Sequence, residues 1–155
     1  VAHQRCSRRL QRILEKYFWQ IDPKGEVFSS PLGISLDGSF MLPDLVYISG
    51  EQKEIILEAH IAGAPNLVAE IMSPFTREKD CGVKFNLYQK AGVQHYWLLD
   101  HEEQILQCFA LRNGGYVLAV LGVAEDIVQH PDFAGLAIDL GSLWDNGDSS
   151  FSSRY

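Results

Sequence analysis

Three charged residues of this 155-residue chain stand where a folded core ordinarily places apolar ones. Glu70 is the one ionisable group of the run Leu67–Met72, whose other residues put apolar side chains on both alternating faces, as in a strand covered on each side. Asp44 falls within Met41–Ile48, where alternation groups Leu42, Asp44, Val46 and Ile48 on one face and Leu45 and Tyr47 on the other. Lys84 falls within a stripe of Cys81, Phe85, Leu87, Tyr88 and Ala91 at close to helical spacing, so its amine is aimed inward. An isolated buried carboxylate is costly unless a cation or hydrogen bonds receive it. The separations, 70 − 44 = 26 and 84 − 70 = 14 residues, put the three groups on three different segments. If the two strands are neighbours, both carboxylates can converge on a Mg²⁺-type ion, with the backbone carbonyl of Ile71 as a third oxygen ligand. Lys84 would then orient or help deprotonate an attacking water, or stabilise charge on a phosphate. The same residues also suit a buried Glu70–Lys84 ion pair with Asp44 capping a turn and no catalysis. On spacing alone both readings stand.

The elements that must position these groups follow from periodicity. Residues 66–100 read as β-α-β: a strand through Glu70, a break at Ser73-Pro74, and a helix starting between Thr76 and Gly82. A cap at Gly92 and a strand Tyr96–Asp100 complete the unit. Upstream, residues 4–20 read as a helix, with Leu10, Ile13, Leu14, Tyr17 and Phe18 as its core-facing stripe. Val27–Leu36 is strand-like but interrupted by Pro31, and Asp37-Gly38-Ser39 predicts a hairpin into Met41–Ile48. Residues 50–65 give no firm assignment. Downstream, Asn113-Gly114-Gly115 predicts a hairpin between Gln104–Leu111 and Tyr116–Leu121, Leu136–Leu140 a last strand, and Leu143 with Trp144 a docking segment. Residues 1–145 are expected to form a single domain, and the polar, serine-rich 146–155 a flexible tail.

Composition limits the classes of function. Apolar residues make up 46% of the chain, with no run of 18, so no membrane span is expected and no signal-peptide pattern opens the chain. Cys6, Cys81 and Cys108 have no paired spacing, which points to reduced thiols and an intracellular setting. A net charge of −7 weighs against a protein wrapped tightly on nucleic acid, yet leaves room for a phosphodiester enzyme whose acidic ligands are balanced by a cation. Arg5, Arg8, Arg9, Arg12 and Lys16 cluster on the first helix, as a solvated face or as phosphate contacts. The histidines form no HxxxH pair; His3 starts the first helix and could reach a site, though a capping or exposed role is the commoner one. Without GxxxxGK or GxGxxG, no nucleotide cofactor is expected.

Pro43-Asp44, Glu70 within VAEIMSPFT, then Asp80, Lys84 and Tyr88 in DCGVKFNLY, then AGVQHYWLLD, together resemble the putative restriction endonuclease family of bacterial proteins, within the PD-(D/E)XK nuclease superfamily. The resemblance covers most of the chain, including the basic first helix. It implies an α/β restriction-endonuclease-like core: a mixed central sheet flanked by helices, with an added C-terminal β-hairpin. It also implies Asp44 and Glu70 as metal ligands, Lys84 as the catalytic lysine, and Ser73, Asp80 and Tyr88 as supporting residues. The superfamily's usual lysine follows the acid by two residues; that position is Met72 here, and the family pattern moves the lysine to the following helix. The expected activity is Mg²⁺- or Mn²⁺-dependent hydrolysis of nucleic acid, DNA by analogy, by a cytoplasmic homodimer, since one site cuts one strand. A non-catalytic nucleic-acid-binding or regulatory module retaining the fold is the alternative. A two-carboxylate glycosidase would give the inward lysine no task.

Overall fold

The structure, a computed structural model, describes residues 1–72 and 77–144, the side chains of residues 77–81 excepted. Ser73, the side chains of Asp80 and Cys81, and the tail 146–155 thus lie outside the described residues. Among the described residues the chain forms helix α1 (Ala2–Ile21) and strands β1 (Glu26–Ser29), β2 (Ile34–Leu36), β3 (Ser39–Met41), β4 (Leu45–Ile48), β5 (Ile61–Ala62) and β6 (Leu67–Met72). Helix α2 (Arg77–Ala91) follows, then β7 (His95–Asp100), β8 (Ile105–Arg112), β9 (Gly115–Val123), β10 (Ile127–Gln129) and β11 (Ala137–Asp139).

Six of these strands build a mixed central sheet in the order β1-β4-β6-β7-β8-β9. Only the β6–β7 pair of that sheet is parallel, and α2 is the crossover that a parallel pair requires. Each face of the sheet has its own apolar layer. On one, Cys6, Leu10, Leu14 and Phe18 of α1 meet Leu45, Tyr47, Ala69, Trp97 and Leu99, and the C-terminal Leu143 and Trp144 close the same layer. On the other, Tyr88 and half-buried Phe85 and Leu87 of α2 meet Val46, Ile48, Val68, Tyr96 and Leu98. The strict alternation between layers makes β4, β6 and β7 buried on both faces, which is why their sequences read as continuous apolar runs.

The predicted hairpin at Asn113-Gly114 is a two-residue turn with both residues at positive φ, 53° and 83°, the geometry that asparagine and glycine accept most readily. It joins β8 to β9 and so extends the central sheet. Met41–Ile48 is not one strand: Pro43 breaks it, leaving β3 paired with β2 in a small side sheet and β4 in the central one. Pro31 likewise divides Val27–Leu36 into β1 and β2. Residues 50–65 become a 3-10 turn at Gly50–Ile55 and the two-residue strand β5.

Candidate active site

Glu70 lies on β6, on the face that α2 covers, and is only 6% exposed. Lys84 Nζ approaches its Oε2 at 2.9 Å, and the Tyr88 hydroxyl donates to the same oxygen at 3.3 Å. Lys84 and Tyr88 are four residues apart on α2, so one turn stacks them over one strand position. Burial raises the Glu70 carboxyl above its ordinary range, Lys84 opposes that rise, and the neighbouring Asp44 adds to it. The Tyr88 hydroxyl is pushed far up, first by burial and then by the Glu70 charge, so it stays protonated and donates to Glu70. The pocket is therefore an acid held in low dielectric with one amine and one hydroxyl, both on the same oxygen.

Asp44 sits one residue before β4, where the sheet opens. The β4–β6 register pairs Leu45 with Ala69, so one step further sets Asp44 opposite Glu70. Asp44 Oδ2 accepts the Ile71 N–H at 2.8 Å, which fixes the carboxylate against the end of β6. Its other oxygen, Oδ1, lies 3.4 Å from His3 Nε2, and the Ile71 carbonyl oxygen lies 3.1 Å from that same nitrogen. An Asp44 oxygen and the Ile71 carbonyl oxygen thus both face His3 Nε2, beside a second acid, Glu70, on the adjoining strand position. Carboxylate and carbonyl oxygens at one sheet end, with the His3 nitrogen among them, suit a hard divalent cation of the Mg²⁺ class, which keeps part of its water shell. The Asp44, Glu70 and Ile71 oxygens would hold it.

His3 is the site residue that ranking by motif undervalued. A signal was there: His3, Cys6, Leu10 and Leu14 continue one helical stripe, and the last three are fully buried, so the first was bound to meet the sheet. The basic residues of α1 divide once the fold is known. Arg9 turns toward the C-terminal segment, its Nη1 donating to the Trp144 carbonyl at 3.1 Å. Arg8 instead lines an open cleft of about 450 Å³ that runs from Asp44 and His3 between α1 and Ser29–Pro31. Ser73 and the Asp80 side chain, expected to support the site, lie outside the described residues.

A second cluster joins His95, His130 and Asp132, whose ligand atoms lie within 4.8 Å of one another. It stands at the opposite end of β7, where His95 pairs with Leu67 rather than beside Glu70. Its carboxylate is already taken by Arg112 Nη2, at 2.6 and 2.8 Å. The Asp132 N–H donates to His130 Nδ1 at 3.0 Å, which puts the proton of the neutral ring on Nε2 and removes that lone pair from metal binding. For a Mg²⁺-class ion the oxygen site is the better match on donor chemistry.

The fold is similar to the crystal structure of a putative nuclease belonging to DUF820 from Anabaena variabilis, with a TM-score of 0.72 over 94% of this chain and 81% of that one. Identity between the two is 18%, so the likeness is one of fold. No curated protein matches the sequence. Residues 1–141 match the model of the family Uma2, described as putative restriction endonuclease, and the chain belongs to that family.

Proposed function

We propose that this protein is a metal-dependent endonuclease that hydrolyses phosphodiester bonds, DNA being the expected substrate, at the site built by Asp44, Glu70 and Lys84. The observation that carries the reading is the meeting of the Lys84–Glu70 pair, 2.9 Å apart, with the Asp44 and Ile71 oxygens at one sheet end. Asp44, Glu70 and the Ile71 carbonyl would hold Mg²⁺ or Mn²⁺. When bound, that cation supplies Lewis-acid stabilisation of the phosphate and lowers the pKa of a water. Lys84, with its Nζ beside Glu70, holds the attacking water in line or takes up charge on the phosphate. Tyr88 keeps Glu70 fixed. Water oxygen bonds to phosphorus as the bond to the 3′ oxygen breaks; the water gives up a proton to solvent and the 3′ oxygen takes one up from solvent, leaving 5′-phosphate and 3′-hydroxyl ends. Ser73 and Asp80 are proposed as supporting residues. Cutting both strands takes two such sites, hence a homodimer, and the free thiols Cys6 and Cys108 fit a reducing, cytoplasmic setting. Among the described residues no helix is long and apolar enough to cross a membrane.

The test is cleavage of plasmid and single-stranded substrates across divalent metals, wild type beside Lys84→Ala. Metal-dependent cleavage by the wild type, with the variant reduced about 10²-fold or more, supports the reading. No cleavage under any condition sinks it. The non-catalytic alternative draws on the Glu70–Lys84–Tyr88 group, which forms a closed polar network by itself. Metal titration separates the two. A nuclease gains thermal stability with Mn²⁺ or Mg²⁺, by about 3 kcal/mol at a hundred times the dissociation constant, and Asp44→Asn abolishes that gain. A binding module loses stability in Asp44→Asn and shows no metal effect.

A further inference from the structure

The cleft beside Asp44 has a wall whose chemistry the two acids do not use. Gln4, Ser7 and Arg8 line it from α1, and Ser29 and Ser30 line it from the other side. Among the described residues Arg8 makes no ion pair or hydrogen bond, unlike Arg9, which is bound to main-chain carbonyls, and Arg112, which is bound to Asp132. Arg8 stands five residues beyond His3, about 7.5 Å along the helix axis, so it is set back from the point that the Asp44 and Ile71 oxygens face. That offset matters electrostatically. A phosphate approaching Asp44 and Glu70 meets two carboxylates on a chain of net charge −7, and a cation a short way along the strand compensates without displacing metal from the acids. The neutral hydroxyls and amide around it can bond phosphate oxygens without adding charge.

We propose that this cleft is a second phosphate site, resting on the nuclease reading. It would seat the phosphodiester group that flanks the one being cut, with Arg8 as its cation and Gln4 and Ser7 as neutral donors. Arg8 would bind backbone and not bases, so its contribution is the same for every sequence. The ligand chemistry is a phosphodiester strand, which DNA or RNA could supply.

The experiment is binding of fluorescently labelled DNA and RNA oligonucleotides, single-stranded and duplex, in Ca²⁺ over a salt series, with Arg8→Gln, Arg8→Lys and Arg12→Gln beside the wild type. Arg12 lies one turn beyond Arg8 on α1 and does not line the cleft. Arg8→Gln is expected to weaken binding about tenfold on every sequence and to reduce the log–log salt slope by about one. Arg8→Lys should restore the slope, and Arg12→Gln should match the wild type. Binding by Arg8→Gln equal to wild type, or an equal loss in Arg12→Gln, overturns the second site while wild-type cleavage keeps the nuclease reading intact. Absence of both binding and cleavage in the wild type overturns both readings.

Discussion

Lys84 and Tyr88 reach one oxygen of Glu70 from successive turns of α2, and variants of the two separate the task proposed for the amine from the fixing of the carboxylate. Lys84→Ala should lower kcat by about 10²-fold or more, with some loss of thermal midpoint because the buried Glu70 keeps only Tyr88 as a partner. A large fall in stability with little change in rate would instead assign the amine a structural task. The meeting of Glu70 with Lys84 was legible in the sequence because each breaks an apolar pattern, whereas the strand expected to carry Asp44 is broken at Pro43 and begins again at Leu45. His3 was not legible, because a polar residue at a helix start has many ordinary explanations and its partner, a main-chain carbonyl, has no sequence signature. The assignment of Arg9 to structure and Arg8 to the cleft was equally hidden, since the two side chains point about 100° apart but what each meets, the Trp144 carbonyl or the cleft, is set by distant segments.

Elements divide along the same line. Helix α1 and strands β4, β6 and β7 could be read from periodicity because burial on one or both faces dictates their composition. Strands β5 and β10, of two and three residues, could not; they exist because a neighbour supplies hydrogen bonds, as when Ile61 pairs with Ile34 and Ile127 with Asp139. The helix that closes the core beside the site is α1, and Leu14 lies fully buried within its stripe. Leu14→Ala should cost about 2–5 kcal/mol in a denaturant titration, the ordinary range for a buried leucine. A loss well under 1 kcal/mol would mean that α1 is not bound to the sheet as described.

At the scale of the whole molecule, the His95–His130 pair buried at the end of the sheet away from the acids sets the acid limit of stability. Burial lowers the His95 pKa to about 4 from an ordinary 6.5, with the His130 charge adding to the fall, and burial lowers His130 as well. The unfolded chain therefore binds more protons than the folded one between those values. Stability from keeping these rings neutral is complete above about 6.5 and falls as pH drops toward about 4. Chemical denaturation across that range should show this slope, and His95→Gln should flatten it; an unchanged slope in the variant would remove His95 from the account. The oxygens of the proposed metal site have a different vulnerability, because one of them belongs to the peptide backbone at Ile71. No codon change there deletes it. A saturation library should therefore score residue 71 by side-chain volume and shape, tolerating valine or leucine and rejecting charge, while every substitution of Asp44 silences cleavage. An equal loss of cleavage for valine and lysine at 71, in variants of matched stability, would contradict this division. A mutational map read without the coordinates would then file one of the three metal ligands under packing.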